Sequence, residues 1–199
     1  MEKPRDTTER EIACQQILEH DSSVFSIQWM ILPPDHARGV DPSFLFSRYL
    51  QYIHRFTLSL IRPRVSADGV EFRLMATNIV LLKFRGPVSG EVSGRRSLTL
   101  FIEGGVLVQP KQCDRGELAF IVAETAAGPR VTLQLSEFCP LLLGNQRPSL
   151  WRKWLYRLTQ AYIHKVVTVR FLARVYRELA GPGVRIKVVN VLLREGEEI

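Results

Sequence analysis

Two hydrophobic periods divide this chain. From Val24 to Leu32, Phe25, Ile27, Trp29 and Ile31 alternate with Ser26 and Gln28, the period-two pattern of a strand with one strongly apolar face. Pro33-Pro34 ends it, and Asp41-Pro42 supplies an N-cap followed by proline at the first helical position, a start signal for a helix running to about Arg62, where Pro63 stops it. On that helix Leu45, Phe46, Tyr49, Tyr52, Ile53, Phe56 and Leu60 share one face, with Arg48, Gln51, Arg55 and Ser59 opposite. Period two returns in Val70, Phe72, Leu74 and Ala76, then in Ile79 to Phe84, in Leu98, Leu100 and Ile102, and in Val106 to Gln109. Leu118 to Thr125 and Val131 to Phe138 form a predicted hairpin across Ala126-Ala127-Gly128-Pro129.

Ser149 to Ala180, fenced by Pro148 and Gly181-Pro182-Gly183, reads as a long helix. Trp151, Trp154, Leu155, Leu158, Tyr162, Val169, Leu172, Ala173, Tyr176 and Ala180 make its core stripe, with Lys165 inside it. A second row, Tyr156, Ile163, Val167 and Phe171, demands its own cover, from the helix beginning at Pro42 or from another subunit. At 1.5 Å per residue this helix would span roughly 48 Å. That exceeds the diameter of about 40 Å expected for a compact domain of this size, so it must cross the whole domain, kink or break. Val184 to Leu193 reads as a last strand, and Asp6-Thr7-Thr8 as caps of a short polar helix ending near His20.

The prediction is therefore a single α+β domain over residues 1–199. An antiparallel sheet of about six to seven strands is covered by the long C-terminal helix and one or two N-terminal helices. Residues 1–21 make a peripheral helix and 194–199 a frayed tail. The order from Val24 to Ala180, strand, helix, meander, long helix, resembles the helix-grip order of the START and Bet v 1-like ligand-binding proteins. The final strand lies outside that order.

Charge changes the picture at one place. Between Ser149 and Ala180, seven basic residues face the single acid Glu178, giving that segment +6 of the chain's +7. Arg152, Lys153, Arg157, Arg170, Arg174 and Arg177 are the anion-binding candidates on this helix. The basic residues fall on two sides of it and no aromatic-basic nucleic-acid signature accompanies them, which weighs against a nucleic-acid partner. Three distant cysteines, Cys14, Cys113 and Cys139, argue against a disulfide framework or zinc site and fit a reducing cytoplasm. No export signal or run long enough to span a membrane is present: Phe44 to Ile61 is broken by Arg48, His54 and Arg55.

Chemistry-bearing motifs are sparse. Trp154, Tyr162, Lys165 and Glu137 are the ligand-binding candidates: aromatics and a lysine on the core stripe, and an acid continuing the row Val131, Leu133, Leu135. His54 and His164 share the contexts Tyr-Ile-His-Arg and Tyr-Ile-His-Lys, and surface placement is the simpler expectation for both. Positive neighbours would keep either ring neutral. Gly86 to Arg96 is a glycine-rich, basic loop without the Gly-Lys-Ser/Thr ending of a phosphate-binding loop, and reads as a hairpin loop. Ser136 and Cys139 lack a placed histidine. No motif assigns a reaction, a cofactor or a metal. Three readings follow: a carrier or sensor for an apolar or amphipathic anionic small molecule, such as a fatty-acyl or isoprenoid compound, held between sheet and long helix; a nucleic-acid or anionic-surface binder; or a structural or regulatory subunit that assembles as a homo-oligomer.

Overall fold

The computed structural model describes residues 9–21, 23–109, 115–141, 162–195 and 197–198. In chain order the elements are β1 (Glu9–Leu18), β2 (Val24–Ile31), α1 (Pro42–Phe56), β3 (Ile61–Ser66), β4 (Gly69–Leu74), β5 (Val80–Val92), β6 (Arg95–Gly104), β7 (Glu117–Ala123), β8 (Arg130–Phe138), α2 (Tyr162–Ala180), β9 (Arg185–Asn190) and β10 (Glu197–Glu198). One sheet contains all ten strands, in the order β10-β1-β2-β8-β7-β6-β5-β4-β3, with β9 alongside β1. Every pairing is antiparallel except β1 with β9. Thus the α+β class and the antiparallel meander hold, and the strands outnumber the six or seven expected.

Four local differences have physical causes. The first is the N-terminal segment, predicted as a helix and observed as β1. Its register with β2 pairs Leu18 with Val24 and Ala13 with Trp29. The glutamines that made it look like a wet helix are buried: Gln15 accepts the amides of Leu193 and Arg194 and donates to the Arg194 carbonyl. Partners 178 and 179 residues away are invisible to a local period.

The second is the end of α1. The Asp41 carboxylate accepts the Phe44 amide at 2.7 Å, as the capping pattern requires. The helix nevertheless stops at Phe56, and Leu58 and Ser59 take left-handed conformations. Thr57 Oγ1 donates to the Ile53 carbonyl and accepts the Ile61 amide, which launches β3. Pro63 therefore sits in a strand instead of terminating a helix. It is tolerated there because β3 is the last strand of the sheet, where a proline costs least.

The third is the expected loop from Gly86, which is mostly strand. β5 and β6 pair out to Val92 opposite Arg95, leaving only Ser93 and Gly94 as the turn, both at positive φ (51° and 73°). Two such residues give the backbone twist of a type I′ hairpin turn. In the fourth, residues predicted as a strand from Val106 form a turn: the Val106 and Leu107 amides donate to the Val80 and Leu81 carbonyls, and Val108 makes an isolated bridge with Pro140.

The core lies between the sheet and the two helices. Phe120 at the centre of the sheet meets Phe46 and Tyr49 edge-on, at ring separations of 5.7 and 5.4 Å. Phe171 of α2 meets Tyr49 at 5.2 Å and Tyr52 at 5.6 Å. Phe171, Leu172, Val175 and Tyr176 are all buried, so α2 is apolar over more than one stripe. Gly181, at φ 95°, closes it by returning its amide to the Arg177 carbonyl. The first part of the predicted long helix, including Trp151 and Trp154, lies outside the described residues.

A smaller apolar cluster occupies the opposite face of β1 and β2, built from Ile17, Phe25 and Ile27 with Trp29 against it. The guanidinium of Arg194 stacks 4.1 Å above the Phe25 ring. As a result, β2 is buried on both faces.

Truncating Phe171 to alanine removes the ring that joins α2 to α1, and is expected to destabilise the fold by about 3–5 kcal/mol in urea titration. Arg177→Ala, on the exposed side of the same helix, should change stability by less than about 0.5 kcal/mol.

Candidate ligand-binding site

A cavity of about 180 Å³ opens between the sheet and the two helices. Its floor is formed by Phe72, Leu82, Phe84, Ile102, Leu118 and Leu135 from β4 to β8. These are the inward positions of a period-two pattern, and adjacent strands place them side by side. Tyr49, Ile53 and Phe56 of α1 and Val167 of α2 form its upper wall. None of the described lining residues is charged; Tyr49, Thr57 and His164 supply the polar atoms.

Phe138 also lines the cavity, by way of a bulge. Pairing of β2 with β8 runs from Ser26 opposite Leu135 to Val24 opposite Phe138. The strand β8 thus carries one residue more than β2 across this interval. Glu137 takes φ 51° and turns out to solvent, and Phe138 turns inward in its place. A uniform alternation would have put the carboxylate where the phenyl ring now lies.

The one histidine at the cavity is His164, on the first turn of α2. Its Nδ1 lies 3.4 Å from Ser26 Oγ. Ser26 in turn accepts Gln28 Nε2 at 2.8 Å, and that same amide nitrogen approaches Cys14 Sγ at 3.6 Å. Cys14, Ser26 and Gln28 are inward positions of β1 and β2, all buried. On the helix side, Thr168 Oγ1 donates to the His164 carbonyl at 3.0 Å, which satisfies a buried hydroxyl within its own helix. A polar chain thus runs through a largely apolar interior, from β1 across β2 to α2.

No known protein family and no curated protein matches the chain. Among solved structures, the crystal structure of CalU16 from Micromonospora echinospora is 15% identical, with a TM-score of 0.35 over 86% of this chain and 84% of that one. The solution structure of the same protein is 15% identical, with a TM-score of 0.36 over 91% and 78%. Likenesses this loose assign neither fold nor function to the chain.

The residues singled out from sequence fall in different places. Trp154, Arg152, Lys153 and Arg157 lie outside the described residues, as does the side chain of Tyr162. Lys165 is half-buried and Glu137 exposed, and neither is among the described residues lining the cavity. Arg170, Arg174 and Arg177 are exposed on α2. Arg174 pairs with Glu178 at 2.8 Å, and Arg170 lies over the Phe56 ring at 5.8 Å. His54 is exposed, whereas its counterpart His164 reaches the interior. Ser26 and Gln28 were legible in the sequence only as the polar half of an alternating strand. Among the described residues no helix is long and apolar enough to cross a membrane, and no cluster of His, Cys, Asp and Glu has metal-ligand grouping.

Burial sets the electrostatics of the site. Desolvation pushes the His164 pKa down to about 4, so the ring is neutral at physiological pH. The cause is loss of water, and neighbouring cations are not needed to explain it. Burial likewise pushes the Tyr49 phenol well above its ordinary range, with a smaller push from Tyr52, so it too stays neutral.

The lowered histidine pKa is also a stability statement. In the unfolded chain His164 takes up a proton near pH 6.5, whereas the folded chain resists it until about pH 4. The stabilisation from keeping the ring neutral is complete above pH 6.5 and is lost as pH falls through that window. Between pH 7 and pH 5 the native protein should lose about 2 kcal/mol more, by urea titration, than His164→Gln. His20, His36 and His54, all exposed, are common to both proteins.

Proposed function

We propose that this protein is a small-molecule carrier or sensor whose ligand sits in the cavity between the sheet and helices α1 and α2. The observation that carries this reading is a space of about 180 Å³ lined by apolar and aromatic side chains with a few polar atoms at its wall. Binding sites have this composition, the apolar lining giving affinity and isolated polar groups giving orientation. An apolar cavity of about 150 Å³ in a protein interior already admits benzene. The space here suits a single substituted ring or a short acyl chain better than a long fatty-acyl or isoprenoid tail.

The helix-grip arrangement is consistent with the order β2, α1, a six-strand meander, α2, and with the hydrogen bonding of β2 to β8 that joins the first strand to the last of the meander. The lining favours an apolar ligand over an anionic one, because burying a carboxylate without a paired cation is strongly unfavourable. The arginines Arg170, Arg174 and Arg177 are exposed and are not among the described lining residues; Arg170 lies over the outer wall residue Phe56, and the Arg174–Glu178 pair further blunts that surface as an anion site.

Thermal unfolding with α-methylstyrene, a ring of suitable size, tests the reading. At a free concentration ten times its Kd the probe contributes about 1.4 kcal/mol, a rise in Tm of roughly 2–4 °C. Leu82→Trp, which fills the space from a half-buried position on its floor, should abolish the rise. No rise in the native protein at any soluble probe concentration would contradict a ligand-binding cavity.

A further inference from the structure

We infer that the cavity selects neutral ligands carrying a hydrogen-bond acceptor, such as a ketone, ester or ether oxygen, and that Nε2–H of His164 is the donor that reads it. This inference deepens the proposed binding function and rests on it. Three observations combine to give it: the lining role of His164, the contact made by its Nδ1, and the direction of hydrogen bonding in the chain behind it.

The direction follows from counting protons. Gln28 Nε2 donates to Ser26 Oγ at 2.8 Å, so the serine keeps one proton to donate, and among the described residues it contacts His164 Nδ1 at 3.4 Å as an acceptor. The Gln28 amide is itself oriented by what surrounds it. Among the described residues its buried Oε1 has no partner. The assigned orientation gives Nε2 the contacts to Ser26 Oγ and Cys14 Sγ, and reversing the amide would leave two N–H donors unpaired at the Oε1 position. With Nδ1 accepting from serine, the proton of the neutral ring resides on Nε2. The imidazole lines the cavity, and Nε2 is the nitrogen that remains for a ligand.

The lining then decides the ligand's character. A neutral donor in an apolar wall stabilises a neutral acceptor and provides no counter-charge for an anion. A ligand with no acceptor leaves the Nε2–H unpaired, whereas one with a carbonyl directed at His164 satisfies it. Discrimination built on an unpaired buried polar group is stronger than that built on a missing methylene. Ser26 acts through His164 and is a positioning residue, with Gln28 holding Ser26 in turn.

The test compares acetophenone with α-methylstyrene, which have the same shape but carry C=O and C=CH2 respectively. Affinities are measured by calorimetry on the native protein, His164→Phe and Ser26→Ala, each checked for cooperative unfolding. The ratio of acetophenone to α-methylstyrene affinity should be about tenfold higher in the native protein than in His164→Phe, with α-methylstyrene binding retained by the variant. Ser26→Ala should reduce the ratio while leaving the fold intact. Nitrogen-15 shifts of His164 at pH 7 should show the Nε2-protonated tautomer in the native protein and a mixture in Ser26→Ala. Equal ratios in the native protein and His164→Phe, or an Nδ1-protonated ring, would overturn the acceptor reading while leaving the binding cavity in place. Failure of both probes to bind the native protein would overturn the cavity reading and this inference with it.

Discussion

The architecture depends on β2 being buried on both faces. One face of this strand meets Ile17 and the stacked Arg194 side chain through Phe25 and Ile27; the other turns Ser26 and Gln28 toward α2. Buried polar groups must find partners or incur a desolvation penalty of about 1–3 kcal/mol each. The only inexpensive solution is for them to satisfy one another, and the chain Cys14, Gln28, Ser26, His164 does so in part. A histidine is thereby fixed at the wall of a space whose other described polar atoms come from Tyr49 and Thr57. The chemistry of the site is a consequence of how one strand is buried.

The same strand links the two ends of the architecture. By pairing with β8 it closes the meander back on the N-terminal segment, and by pairing with β1 it extends the sheet toward β9 and β10. The bulge on β8 opposite β2 then exchanges Glu137 for Phe138 at the cavity. A one-residue insertion changes the lining from acidic to aromatic without altering the length of either helix. The aromatic contacts of Phe171 with Tyr49 and Tyr52 set the spacing between α1 and α2 above this floor. Each T-shaped or tilted pair adds on the order of 1 kcal/mol beyond simple burial.

Much of this was legible from residue order, and the exceptions share a cause. Alternation placed β2, β4, β7 and β8 close to their observed bounds, and Asp41-Pro42 and Gly181 marked helix ends because caps are local devices. β1 was misread because Gln15 and Gln16 looked solvated, and it takes the C-terminal residues Leu193 and Arg194 to satisfy Gln15. β3 was missed because Pro63 signals a stop unless the strand is known to lie at an edge. At the site, the repeated Tyr-Ile-His context drew attention to His164 but not to its partner, since Ser26 is 138 residues away. Glu137 drew attention through a parity that the bulge breaks.

Crystals soaked in iodobenzene and measured at a wavelength sensitive to iodine test the central claim most directly. The account predicts an anomalous peak inside the fold, in contact with Phe84 and Leu135 and within reach of the His164 ring. An interior filled by side chains, with iodine only on the surface or absent, would contradict it.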